Sequence, residues 1–84
     1  MKFGYEFVLV GSCARALLAQ PRDTRRRTLE LLAQLEHYPF REPDFREPGA
    51  SGRSYSVIVD RDIVVTYWLD DAAKEVRIVQ LEWV

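Results

Sequence analysis

Apolar side chains alternate with other residues near the start of the chain and again through its second half. Over residues 2–10, Phe, Tyr or Leu occupies every second position from Phe3 onward. A period of two places these side chains on one face of an extended chain, which predicts a β-strand. Three later segments have strand character: residues 53–59, 63–69 and 76–84. Short Asp-containing turns separate them, so we expect an antiparallel meander in which the middle strand, apolar on both faces, is central.

The pattern between residues 12 and 37 is helical. Ser12 is expected to cap a short helix that ends near residue 18, with Leu17 and Leu18 on its apolar stripe. Pro21 suits the first turn of a second helix, which runs to about His37 and carries a stripe of leucines. The stripe comprises Leu31, Leu32 and Leu35, with Thr28 and Leu29 beside it. Residues 38–52 contain three prolines and two glycines without periodicity, and this predicts a long loop.

These elements predict a single α+β domain over residues 1–84, in the order β-α-α-β-β-β. A helical hairpin must bury its leucines on the only large apolar surface, which is the sheet. We therefore expect a four-stranded antiparallel sheet with the hairpin on one face and the other face open. In the last strand, alternation places Val79, Leu81 and Trp83 on one face, and Ile78, Gln80 and Glu82 on the other.

Charge and composition narrow the function classes. The 84 residues carry a net charge of −1, with +3 over residues 1–35 and −4 over residues 36–84. A nucleic-acid binder normally has an overall basic excess, so this balance argues against an independent one. One Cys and one His exclude an internal disulfide and a common Cys/His zinc site, and we expect no metal and no other cofactor. With no long apolar run and Glu6 near the start, we expect a cytoplasmic protein without a membrane partner.

The element order at this length resembles the RelE/ParE superfamily, the toxins of bacterial type II toxin–antitoxin pairs. The resemblance covers nearly the whole chain. It rests on residues 3–10, the basic-to-leucine helix at 21–35, the helix-ending Tyr38-Pro39, the segment Asp62–Tyr67 and the closing strand at 78–83. In the family, a segment like Asp62–Tyr67 reads Gly-Asp-Tyr-Arg-Ile-Val-Tyr, so Asp62 matches its Asp and Tyr67 its last Tyr.

The resemblance also implies where catalytic residues would lie, and the sequence departs from that pattern. Ribosome-dependent RNases of the family carry Arg and Lys, with Tyr or His, on the open sheet face. Such cations stabilise charge at the scissile phosphate. Here the corresponding positions are Val57, Val59 and Val64, and the last strand ends in Glu82-Trp83-Val84. A relocated cluster would draw on Arg53, Arg61 and Arg77, assisted by Tyr55 or Tyr67; the simpler interpretation is turn charges and packing aromatics.

Five other residues are candidates for binding. Arg22, Arg25 and Arg26 give the second helix a basic start that could steer an acidic partner, although Arg26 is also spaced to pair with Glu30 on a solvated face. Trp68 and Trp83 are candidate interface anchors or core residues. His37 and Cys13 are expected to be a helix-end residue and a small buried residue, respectively.

Three hypotheses for function follow. The resemblance implies a toxin or toxin-like chain that binds a cognate antitoxin across its helices and a sheet edge. The missing cations favour inhibition of DNA gyrase, as in the ParE branch, or lost toxicity over cleavage of mRNA on the ribosome. The alternatives are a ribosome-dependent endoribonuclease with the relocated cluster, and a non-toxin homodimer joined through its last strand or an exposed Trp.

Overall fold

The computed structural model describes residues 4–84, and Lys2 and Phe3 of the expected first strand lie outside that range. The chain forms β1 (Glu6–Leu9), α1 (Gly11–Leu18), α2 (Arg22–His37), β2 (Phe45–Pro48), β3 (Ser54–Asp60), β4 (Ile63–Asp70) and β5 (Glu75–Trp83). A short 3-10 turn, Ala50–Gly52, joins β2 to β3. No helix between residues 4 and 84 is both long enough and apolar enough to cross a membrane.

Across residues 4–84 the sheet has five strands in the order β1-β5-β4-β3-β2, so the expectation of four antiparallel strands is wrong. The strand β1 runs parallel to β5, and the other pairs are antiparallel. A parallel pair requires a long crossover, which the two helices and the later strands supply. The strand β4 is central, as its apolar sequence predicted. The strand β5 lies between β1 and β4, but β1 pairs only with its first part, from Glu75 to Ile78, and a homodimer joined through β5 stays a prediction.

The strand β2 lies inside the segment that was expected to be a loop. It pairs with β3 from Phe45 opposite Val57 to Pro48 opposite Ser54. All four residues of β2 are exposed, so no apolar periodicity marks the strand in the sequence. Proline is tolerated at such an edge because it need not donate a hydrogen bond there. Sequence patterns report burial, and an edge strand without burial escapes them.

A bulge changes which side chains of β5 face the helices. Thr66 pairs with Gln80, but the next residue, Tyr67, pairs with Ile78, so Val79 is an extra residue on β5. As a result Ile78 and Leu81 are both buried, at 0% and 8% exposure. Strict alternation placed them on opposite faces, and that expectation is wrong because a bulge shifts the register by one residue.

The helical hairpin closes one face of the sheet. Leu31, Leu32 and Leu35 of α2 are buried together with Leu17 of α1, as the leucine stripe predicted. The helix α1 begins at Gly11, one residue before the expected cap, and no side chain caps it. The apolar stripe was drawn too wide, because two leucines assigned to it are exposed: Leu18 at 72% and Leu29 at 44%.

The two outer edges of the sheet differ in how far they are covered. At β1, the backbone N–H of Phe7 donates to Glu36 Oε2 at 2.9 Å, so α2 covers part of that edge. At the other side, β2 is exposed along its length. Beyond β2, the Asp44 carboxylate accepts a hydrogen bond from Val59 N at 2.8 Å and substitutes for strand pairing there. The strand β2 therefore offers an exposed edge for pairing with another chain.

Candidate functional site

Arg53, Trp68 and Arg77 form an aromatic and cationic cluster at one end of the open face of the sheet. The Arg53 Cζ atom lies 3.7 Å from the centre of the Trp68 ring. The Arg77 Cζ atom lies 5.8 Å from the same centre, and Arg77 sits directly opposite Trp68 in the β4–β5 pair. Both distances fall within the range of cation–π attraction. We call these three residues the Arg-Trp-Arg cluster.

The Arg-Trp-Arg cluster owes its geometry to a tight connection and to the bulge. Ser51 and Gly52 have positive φ values of 59° and 74°, which turn the chain back after β2. Gly49 N donates to Arg53 O at 2.5 Å and closes this connection. A Cβ atom at Gly49 would lie 2.7 Å from the Tyr55 ring, so only glycine fits there. On β5, Arg77 lies between the buried Val76 and Ile78 and therefore points away from the helices.

The charges of the cluster are only partly compensated. Arg77 Nη1 donates to Glu75 Oε1 at 2.5 Å. Within residues 4–84, the guanidinium of Arg53 makes no ion pair and no side-chain hydrogen bond, although Arg53 is exposed. Arg53 is thus the cation of the cluster that no carboxylate within residues 4–84 pairs with. One guanidinium stacked on an aromatic ring retains free N–H groups along its edge, and these can receive an oxyanion.

The two candidate tyrosines have different environments. Tyr67 is 1% exposed and belongs to the core, where burial raises the pKa of its hydroxyl while a hydrogen bond with Ser56 lowers it by a smaller amount. Its position on the helix-covered face removes it from the Arg-Trp-Arg cluster. Tyr55 is half-buried and packs against Gly49 at the margin of the open face. Neither tyrosine is placed as an exposed hydroxyl beside Arg53 and Arg77.

Arg61 lies at the opposite end of the sheet from the cluster. It occupies the turn between β3 and β4 with φ of 57° and borders a cavity of about 170 Å³ with Arg27 and Gln34. Five residues separate Ile63 from Trp68 along β4, which corresponds to about 17 Å at the usual rise of a strand. The structure therefore brings Arg53 and Arg77 together but leaves Arg61 outside the cluster.

The remainder of the open face is aliphatic and acidic. Val59 is paired with Val64, which in turn is paired with Glu82. Val59 is 41% exposed, and Phe45 on the neighbouring strand is 61% exposed. Where the resemblance would place arginines, this chain therefore presents valines. A phosphodiester would meet few cations on this part of the face.

The hairpin presents a second candidate surface. The guanidinium of Arg26 bonds both Asp23, at 2.6 Å, and Glu30, at 2.5 Å, which confirms the predicted pairing with Glu30. Arg22 and Arg25 are three residues apart, so they lie on one side of α2 near its start, and Arg25 Nη1 approaches Leu18 O at 3.5 Å. Around them the exposed Leu18 and Leu29 add apolar area.

A partly buried ion pair holds α2 to the β3–β4 turn. Arg27 Nη1 lies 2.8 Å from Asp62 Oδ1, and Arg27 Nε lies 3.4 Å from Asp23 Oδ2. The hydrogen bond from Arg27 holds the pKa of Asp62 below its usual value, and Arg26 does the same for Asp23. Asp62, the residue that matches the family segment, therefore has a structural role at this turn.

Trp83 is half-buried and its indole is directed inward. Its Nε1–H donates to Thr28 Oγ1 at 3.0 Å, and the Thr28 hydroxyl donates to Thr24 O at 2.7 Å. Trp83 also packs against the hydrophobic core. Trp68, by contrast, reaches the open face and is half-buried under Arg53. Sequence reasoning named both tryptophans and left open which of them lies in the core.

The remaining chemical candidates are accounted for by packing. Cys13 is 4% exposed, and burial raises the pKa of its thiol. His37 ends α2, with its ring against Tyr38 at a centroid distance of 4.9 Å. Among residues 4–84, no group of three or more His, Cys, Asp or Glu side chains is arranged to hold a metal ion.

The structure is similar to two solved toxin–antitoxin structures. It matches a chain of the toxin–antitoxin complex RelBE2 from Mycobacterium tuberculosis with a TM-score of 0.77 and 17% identity, covering 96% of this chain and 99% of that chain. It matches a chain of the RelE–RelB complex from Pyrococcus horikoshii with a TM-score of 0.74 and 22% identity, covering 94% and 93% respectively. No protein-family model and no curated protein sequence matches this chain. The likeness confirms the expected RelE/ParE-like fold, and at these identities it establishes the fold alone.

Proposed function

We propose that this chain is the toxin or toxin-like component of a type II toxin–antitoxin pair and that it binds a cognate antitoxin. The observation that carries the proposal is the match, over nearly the full length of both chains, to structures of toxin–antitoxin complexes. A shared fold does not by itself imply a shared activity. The surfaces of this chain supply the further support.

The hairpin supports antitoxin binding through charge and exposed apolar area. Arg22 and Arg25 provide cations that are not bridged between carboxylates as Arg26 is. The exposed Leu18 and Leu29 flank these two arginines. An amphipathic segment with acidic and aliphatic residues fits this combination.

The β2 edge supports a second element of antitoxin binding. Its four residues are exposed, whereas the β1 edge is partly covered through Glu36. An extended segment could add to the sheet beside β2, because an edge strand offers unpaired backbone groups. An antitoxin that wraps the hairpin and this edge would contact both surfaces.

The open face favours a target other than mRNA. An RNase of this type needs several cations and a proton carrier at the scissile phosphate. Tyr67 is buried, Arg61 lies at the far end of β4, and Arg77 is paired with Glu75. Inhibition of DNA gyrase or lost toxicity therefore fits this surface better than mRNA cleavage.

Induced expression in a bacterial host tests the proposal. We expect growth arrest, or no effect if toxicity is lost, and in both cases a stable complex with the product of a short adjacent reading frame. That product is expected to combine a DNA-binding domain with an acidic or amphipathic tail. Replacing Arg22 and Arg25 by Glu is expected to weaken the complex, with Arg41→Glu as the matched control. A complex that forms equally well with all variants would remove the hairpin from the interface.

A ribosome-dependent endoribonuclease is the second candidate, and one observation favours it. Arg53 and Arg77 converge at Trp68, which provides part of the relocated cationic cluster. Primer extension on a translated message separates the two functions. Codon-phased cuts that disappear in Arg53→Gln would establish the RNase, whereas an inhibited supercoiling reaction of purified DNA gyrase would establish the gyrase-type toxin.

A homodimer of the free chain, joined through β5 or an exposed Trp, remains a prediction. The mass in solution, measured with and without the adjacent gene product, tests it.

A further inference from the structure

The Arg-Trp-Arg cluster has the geometry of a preorganised anion receptor. Stacking on Trp68 at 3.7 Å fixes the plane of the Arg53 guanidinium and leaves its edge directed away from the ring. A guanidinium held in this way loses little conformational entropy when an oxyanion binds two of its N–H groups. Arg53 has no such partner within residues 4–84. The cluster is thus assembled before any ligand arrives.

The charge around the cluster selects among anions. Arg77 already donates to Glu75, which leaves Arg53 as the cation of the cluster without a carboxylate partner in residues 4–84. Two further carboxylates lie opposite Glu75 in the sheet, those of Glu6 on β1 and Asp70 on β4. A polynucleotide would bring a phosphate every few ångströms along its chain and would be repelled by these groups. A single carboxylate at Arg53 carries one charge and is repelled less.

The apolar surroundings select the kind of molecule that carries the carboxylate. Tyr55 borders the cluster, and the aliphatic pair Val59 and Val64 continues along the same face. Phe45 extends this area on β2 and is 61% exposed. A protein segment with an acidic side chain next to aliphatic ones would bury this area while its carboxylate met Arg53. Aromatic and Arg side chains of this kind are enriched among residues that dominate interface energies.

We propose that Arg53, Trp68 and Arg77 form a binding site for an Asp or Glu side chain of a protein partner on the open sheet face. The inference rests on the proposed function for its premise that this chain binds a protein partner. It goes further by assigning the site, the chemistry of the contact and the residues that make it. Arg53 supplies the bidentate donor, Trp68 holds its plane, and Arg77 supplies a second cation.

The test uses synthetic probes, so that it does not depend on finding the antitoxin. Fluorescein is attached to a short Ser-Leu peptide with one central Glu, to its analogue with Gln at that position and to a single-stranded oligouridine. Fluorescence anisotropy at low salt measures the binding of each probe to the full chain. Tryptophan emission is followed in parallel, because Trp68 lies beneath Arg53 and responds to displacement of the guanidinium.

We expect the Glu peptide to bind and the Gln peptide to bind at least about tenfold more weakly, since a charge-assisted hydrogen bond is lost. Arg53→Gln is expected to weaken the binding of the Glu peptide by about the same factor. Arg61→Gln removes the same charge at the opposite end of β4 and is expected to change the affinity by less than about twofold. Circular dichroism checks that both exposed-site variants remain folded.

Three results would overturn the inference. The first is equal binding of the Glu peptide to wild type and Arg53→Gln. The second is preferential binding of oligouridine that depends on Arg53. The third is no binding of the Glu peptide at any accessible concentration. None of these results bears on growth arrest or on complex formation with an antitoxin, so failure here is distinguishable from failure of the proposed function.

Discussion

The two faces of the sheet are built from the same strands but differ in what fills them. The face covered by α1 and α2 is closed, and six of its aliphatic residues have 0% exposure: Leu32, Leu35, Ile58, Val65, Val76 and Ile78. The opposite face presents Trp68 with Arg53 and Arg77, followed by a half-exposed aliphatic area. Alternation along each strand separates the two sets.

The difference separates stability from binding. Apolar area removed from water on the covered face drives folding. Some side chains on the open face, such as Val59 and Val64, remain partly hydrated, so replacing them should change the free energy of unfolding less. Changes on the two faces should therefore have opposite signatures, in stability on one side and in binding on the other.

The largest expected effect is at the centre of the covered face. Leu32→Ala removes a side chain with 0% exposure and is expected to lower the free energy of unfolding by about 3 kcal/mol. Val64→Ala on the open face is the control and is expected to cost less than about 1 kcal/mol. Urea denaturation measures both. Equal losses would mean that the open face contributes to the core as much as the covered face does.

Replacing the two tryptophans should give effects of intermediate size, and these also compare the two faces. Trp83→Phe loses the hydrogen bond to Thr28 and part of the packing, and we expect a loss of about 1–2 kcal/mol. Trp68→Phe is expected to leave the free energy of unfolding within about 0.5 kcal/mol of wild type, and to weaken the binding of the acidic peptide. Thermal or urea unfolding provides the measurement. A larger loss at Trp68 than at Trp83 would contradict the assignment of the faces.

Acid tests the ion pairs that join the covered layer to the turn. The pKa values of Asp62 and Asp23 are lowered in the folded chain, mainly by hydrogen bonds from Arg27 and Arg26. A lowered folded pKa contributes stability above the unfolded pKa of about 4, and this is lost as pH falls through the folded value. The urea concentration at the midpoint of unfolding should therefore fall when the pH is lowered below about 4. Asp62→Asn should make the urea midpoint depend less on pH in this range, whereas Asp71→Asn should leave the pH dependence as in wild type.

The smallest expected effect is at alkaline pH. Burial raises the pKa of Tyr67, so its neutral form stabilises the folded chain below the unfolded pKa of about 10. That contribution is lost as pH rises through the higher folded value. Tyrosinate absorbance during an alkaline titration should show two late groups, because the hydrogen bond to Asp71 raises the pKa of Tyr5 as well. Tyr67→Phe should remove one of them, and Tyr55→Phe should remove neither. An early titration of all tyrosines would contradict the burial of Tyr67.

Much of the fold could be predicted from the chain, but less of the candidate site. The leucines of α2 and the doubly apolar β4 leave local signals, because burial follows the helical or strand period. Arg53 and Arg77 were named as candidates, yet their meeting at Trp68 was not foreseen. It depends on a bulge at Val79 and on the turn through Ser51 and Gly52. Arg61 and Tyr67 were grouped with them because spacing alone does not tell how far apart strand ends lie.

The sequence by itself determined the helices, the central strand and the covered core, because these depend on apolar periodicity among near neighbours. The tertiary structure alone decided three features: the parallel placement of β1 beside β5, the exposed edge strand β2, and the face on which Arg77 lies. Each of these depends on pairing between segments far apart in the chain. Backbone hydrogen bonds make those pairings, and they are formed by groups common to nearly all residue types, so the order of side chains carries little trace of them.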